Sequence, residues 1–271
     1  MQPTSPARPD ETTPATGPVA ACSVATWGAV HGTVADLEPL RQPNAVAGKP
    51  VSATFLRHAD ELTVTAVAAL NQTVERGELR TADFRAWGVL ACLPRPGRAL
   101  VGHSLSRYEA EGAWGISPHI VPHRCLHSLS GALSLALKCE GPNFGVGEPE
   151  ALVPMACAWL GLGLVEGVWV VLTQAEPQPA TDLSRSTPRG DTGVHAVVLA
   201  LVPETVETPL RLRIRPAAEK SAGPWGVAQV EEWLAGGAGG DWVLPGGLAV
   251  ERRPLRVAPT ANAGRLQEVR G

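Results

Sequence analysis

The sequence predicts an α/β fold with a mixed sheet, and two observations carry that prediction. Short apolar runs bounded by Gly or Pro alternate with stretches of helical periodicity along most of the chain. One unit, GPNFGVGEPEALVPMACAWLGLGL (141–164) followed by GVWVVLTQA, reads as strand, glycine turn, apolar helix, strand. A strand–helix–strand crossover makes its two strands parallel.

The elements follow in order. ACSVATWGAVHG (21–32) is a first strand with a glycine stop, and 36–50 is a loop with several prolines. FLRHADELTVTAVAALNQTVERGEL (55–79) places Leu62, Val67, Leu70 and Val74 at helical spacing, with Glu61 and Glu75 outside the stripe and Gly77 at its end. WGVLACLP (87–94) is a buried strand, and 95–116 is loop-like. Residues 128–138 form a serine-capped helix in which Gly131 and Ala132 allow close packing. Strands follow at 143–146, 168–173 and 193–204, with a helix over 150–165 between the first two. LRLRIR (210–215) alternates strictly, so its arginines share the wet face of a half-exposed strand. Residues 224–234 form a short helix ended by GGAGG, and DWVLPGGLAVERR is a hairpin.

Composition narrows the function classes. The chain has 271 residues, 44% hydrophobic and 18% charged, enough for one large domain or two small ones. A formal net charge of −3 does not suggest a nucleic-acid partner or an acidic membrane surface. The five cysteines are scattered without a CxxC pair, which excludes a disulfide framework or zinc ribbon and suits small buried thiols in a reducing, cytoplasmic setting. Residues 1–20, rich in Pro and Thr, form a disordered tail without a signal-peptide core, and the chain from Pro254 is loosely ordered. The apolar stretch 151–172 is interrupted by Glu166 and Gly167, so no membrane span is expected.

Several local patterns invite chemistry, and each has a plainer reading. His119, His123 and His127 recur at four-residue spacing around Cys125, but Pro118 and Pro122 oppose the continuous helix a metal face would need. The glycines of GPNFGVG match no phosphate-binding pattern. GHSLS (102–106) ends in Ser106 where a nucleophile elbow requires glycine. Cys157 lies about two turns inside its helix, too deep for the first-turn amides that lower a thiol pKa, so it reads as core. Between Gly147 and Leu152 no Cys, Ser, Thr, Lys or His occurs. Glu148, Pro149 and Glu150 stand there instead, the two carboxylates placed as charges at a helix N-terminus. No cofactor and no metal site is expected.

Three stretches in order resemble the N-terminal half of a β-ketoacyl synthase, the thiolase-fold condensing enzyme of fatty acid and polyketide synthesis. They are FLRHADELTVTAVAAL, the run PHRCLHSLSGALSLALKCEGPNFGVG with its Gly-Pro-Asn, and the strand pair GVWVVLTQAEP and GVHAVVLALVPE. The resemblance covers about residues 20–205. It implies a truncated thiolase-like fold, with a mixed, mostly parallel sheet flanked by helices over 21–205 and a small α+β extension over 206–253.

Two departures from the family pattern matter. The turn that presents the family's nucleophilic cysteine corresponds here to Gly147, Glu148, Pro149 and Glu150, and neither Glu is a thioester nucleophile. The family's two catalytic histidines belong to a C-terminal half that this sequence does not show. None of His31, His58, His103, His119, His123, His127 or His195 falls in a matching motif. The resemblance therefore implies no catalytic residues and a chain-length-factor-type subunit, like short members associated with aryl-polyene-like pathways. Its implied partners are an active ketosynthase and an acyl carrier protein, in a hetero- or homodimer. The eight tryptophans, Trp225, Trp233 and Trp242 among them, are candidates for anchoring the extension over apolar faces or for filling the core.

Overall fold

The computed structural model describes residues 19–52, 54–94, 98–116, 125–176, 190–217, 223, 225–237 and 239–254. The tail 1–18, the segment from 255 onward and both His119 and His123 lie outside these residues.

Eight strands form one sheet in the order β5-β4-β6-β7-β1-β8-β10-β9. They are β1 (Ala20–Thr33), β4 (Trp87–Cys92), β5 (Asn143–Val146), β6 (Gly167–Ala175), β7 (Gly193–Pro203), β8 (Leu210–Pro216), β9 (Trp242–Leu244) and β10 (Leu248–Pro254). The mixed α/β sheet expected from sequence is present, and β5, β4, β6, β1 and β10 run in one direction. Direct parallel bonding is confined to β5-β4-β6. The strands β5 and β6 of the crossover are parallel, with β4 inserted between them.

Alternation of side chains sorts the core into two layers. On one face Val89, Trp169, Val171 and Val198 pack under α1 (Glu61–Arg76) and α3 (His127–Leu137). Phe84, Trp87 and Trp169 form an aromatic cluster there, with ring centroids 5.1–5.2 Å apart. On the other face Leu90, Val170, Leu199 and Leu212 pack under α4 (Leu152–Gly161) and α5 (Val227–Ala235). Each such buried aliphatic side chain stabilises the fold by roughly 1.5–3 kcal/mol before chain entropy is charged against it.

Helix α1 begins at Asp60, whose carboxylate accepts from Thr63 N–H at 2.6 Å, and ends at Gly77. Glu61 is not on a wet face: it is buried and pairs at 3.2 Å with Arg41, which also donates to Ala59 O and so covers that end of the helix. Helix α3 has Leu126 at its N-cap, and Ser128 Oγ instead accepts from Cys125 N–H, so the expected serine cap is absent. The loop expected over 36–50 holds a 3₁₀ helix (Val34–Arg41) and the small ribbon β2 (Ala45–Val46) and β3 (Lys49–Pro50). The loop expected over 95–116 holds α2 (Arg98–Glu111) and a 3₁₀ turn (Gly112–Gly115).

From residue 206 the chain continues the same sheet. β8 pairs with β1, Leu210, Leu212 and Ile214 point inward, and the arginines between them are half-buried. β9 and β10 form the hairpin, with Gly246 and Gly247 at φ 93° and 81° in its turn. Trp225 stacks on Trp242 at 6.0 Å, and Trp233 meets both edge-on at 6.1–6.2 Å. Trp233 donates from Nε1 to Gly240 O at 3.0 Å. These three tryptophans tie α5 to the hairpin. Among the described residues no helix is long and apolar enough to cross a membrane.

Candidate functional site

Two glycines of GPNFGVG are packing residues. A Cβ on Gly141 would come within 2.5 Å of Trp87 O, and one on Gly145 would run into Leu126 O. They let β5 lie against β4 and against the head of α3. A Cβ on Gly147 would have room, its nearest contact being Leu126 Cδ2 at 3.9 Å.

Beyond Gly147 the chain enters a 3₁₀ turn (Pro149–Ala151) that leads directly into α4. Pro149 stands where a missing N–H costs nothing. Glu148 precedes the turn in extended backbone and is exposed, Glu150 lies in its first turn half-buried, and neither carboxylate caps a backbone N–H there. Both line a cavity of about 640 Å³ whose other wall is apolar. Pro154 and Met155 of α4 form one side of that wall, and Leu244 and Leu248 of the β9–β10 hairpin form the other.

The thiols near this turn are buried. Burial pushes Cys92, at the end of β4, up to about 12, and the charges of Glu148 and Glu150 add to the rise. Cys157 is buried in α4 and donates to Cys22 Sγ at 3.1 Å. The Cys22 thiol is raised well above its ordinary value, first by that thiol contact and then by burial. Burial also raises Cys139 to about 12. The expected core role of Cys157 agrees with this placement.

Cys125 and His127 line a second cavity, of about 570 Å³, together with Ser128, Gly131 and Ala132. Gly131 and Ala132 thus line a groove, and a Cβ on Gly131 would meet only His127 of its own helix, at 3.5 Å. His127 Nδ1 lies 3.2 Å from Ser130 Oγ. His31 and His195 are register partners on β1 and β7, beneath α5. Sequence reasoning passed over that pair together with Glu231, because the three residues come from distant segments and no local spacing marks them.

The chain matches no protein-family model and no curated protein sequence. Solved structures do match its fold. One chain of a ketosynthase in complex with its chain length factor from Xenorhabdus doucetiae is 13% identical, with TM-score 0.52, over 86% of this chain and 98% of that one. A chain from a type II polyketide-synthase acyl-carrier protein in complex with its ketosynthase is 14% identical, with TM-score 0.53, over 74% of this chain and 70% of that one. The mixed sheet, the helices on both faces and these matches give this chain the thiolase-like fold of the ketosynthases and chain length factors.

Proposed function

We propose that this chain is a non-catalytic ketosynthase-like subunit of the chain-length-factor type. It would act beside an active condensing enzyme and its acyl carrier protein in fatty acid or polyketide synthesis, the aryl-polyene type included. The turn Gly147-Glu148-Pro149-Glu150 then occupies the nucleophile position. One observation carries the reading: the turn holds two carboxylates and no thiol, and the buried Cys92 is pushed up to about 12 partly by those carboxylates. A cysteine that takes an acyl group from a thioester acts as its thiolate, and negative charge at this point opposes one. The two matched structures support the partner class, since both are complexes containing a ketosynthase.

The test uses the purified chain with acyl and malonyl carrier proteins, alone and with a co-purifying ketosynthase. No condensation alone, and a change in product length when the chain is withdrawn from the pair, is the expected result. Condensation by the chain alone would overturn the proposal, and a lower yield at unchanged length would make it a scaffold.

A displaced-nucleophile reading has two candidates, Cys157 and Cys125: Cys157 is buried, while Cys125 is half-buried and shares a cavity with His127. It predicts acyl transfer that stops in Cys125→Ala.

A further inference from the structure

We propose that His31, His195 and Glu231 form a binding site for a zinc-class divalent transition-metal ion that clamps α5 onto the sheet. The inference is independent of the condensing-enzyme reading.

The sheet register creates half of the site. His31 on β1 and His195 on β7 are direct antiparallel partners, so their side chains leave the same face side by side. Their ring centroids are 5.7 Å apart. Strands in the middle of an eight-stranded sheet hold these rings on a rigid base.

The third ligand comes from above. Helix α5 crosses this face, and Gln174 on β6, the register neighbour of His195, accepts from Val227 N–H at 2.7 Å. That contact fixes the start of α5 over the histidines. One turn later Glu231 points down, placing Oε2 2.7 Å from His195 Nε2. One donor atom from each of the three residues lies within 4.8 Å of the other two.

The donor chemistry is selective. Two imidazoles and one carboxylate suit zinc and its neighbours and leave a fourth position for water or a small ligand. His31 is exposed, so an ion has a route in, while the other two ligands are half-buried. His195 Nε2 is itself buried, and despite its closeness to Glu231 it lacks a hydrogen bond of good geometry. A ring nitrogen 2.7 Å from a carboxylate oxygen faces it with its proton, which a bound ion would displace.

The ligands come from β1, β7 and α5, segments well separated along the chain. An ion bound by all three would join α5 directly to the sheet and strengthen its attachment by mass action.

The experiment uses the full chain without a histidine tag, stripped with a chelator and titrated with zinc by calorimetry, then with cobalt by absorption. The expected result is one equivalent bound at micromolar concentration. The cobalt complex should show tetrahedral visible bands without a thiolate charge-transfer band. His31→Asn and Glu231→Gln, both at solvent-accessible positions, should each weaken zinc by about tenfold or more, and the double variant should abolish binding. The imidazole signals of His31 and His195 should shift together on adding zinc. Absence of binding at millimolar zinc, binding retained in the double variant, or a thiolate band that assigns the ion to cysteines would each overturn the proposal.

Discussion

Cys157 Sγ lies 3.1 Å from Cys22 Sγ, deep between α4 and the sheet. A thiol so placed has a neighbour and no water. In native protein iodoacetamide should therefore label Cys125 first and leave Cys22, Cys92 and Cys157 unmodified until the chain unfolds, as peptide mapping would read. Rapid native labelling of Cys157 would contradict the packing described.

Under the proposed function, placing a thiol at the turn should not produce condensation. Glu150→Cys should alkylate readily in the cavity wall, yet give no product with acyl and malonyl carrier proteins. The chain presents no histidine to that cavity among its described lining residues. Product analysis by mass spectrometry checks this, and any turnover in the variant would show that the turn retains catalytic surroundings.

Gly145→Ala tests the reading of GPNFGVG as packing. Its Cβ would strike a backbone oxygen that cannot swing away, so β5 or the head of α3 must move. Denaturant unfolding should show a loss of about 2 kcal/mol or more. Gly147→Ala, with room for its Cβ, should stay within about 0.5 kcal/mol of the parent.

Trp233 is fully buried at the junction of α5 and the hairpin. Trp233→Ala should cost about 3–5 kcal/mol in chemical denaturation. Near-ultraviolet dichroism should lose the signal of the three-tryptophan cluster in the same variant.

The pH dependence of the metal-free protein has a definite sign at His195. Burial is the largest influence and lowers its pKa from 6.5; His31 on β1 pushes the same way, and Glu231 on α5 opposes both. The unfolded chain therefore binds the proton more readily than the folded one. The contribution of His195 is fully present above the unfolded value of 6.5 and is lost as pH falls through the lower folded value. In Glu231→Gln the opposing charge is gone, and the His195 midpoint measured by NMR should fall further.

Much of the sheet was legible in the sequence, because β4, β6 and β7 are buried on both faces and read as unbroken apolar runs. The strand β8 was legible by its strict alternation. Helix α2 was not: its described side chains are almost all exposed, so no apolar stripe marks it. The 3₁₀ segment Val34–Arg41 buries Leu37 alone and carries Pro39, which resembles a loop from sequence. The insertion of β4 between β5 and β6 depends on long-range pairing that no local window contains. At the candidate site, the lack of Cys, Ser, Thr, Lys and His in the turn was readable from residues 147–152. Its apolar opposite wall was not, since Leu244 and Leu248 lie far along the chain.

The place of β1 in the sheet has a consequence for biosynthesis. Cys22 pairs on one side with Pro203 and on the other with Leu212, so the first described strand gains both neighbours only after most of the chain exists. At translation rates of about 5–20 residues per second, β1 leaves the ribosome on the order of ten seconds or more before β7 and β8 can close on it. During that interval its apolar side chains and both hydrogen-bonding edges lack their final partners. The sheet around β1 thus closes through long loops, a topology in which non-local pairing slows folding and leaves an extended apolar strand waiting for its neighbours.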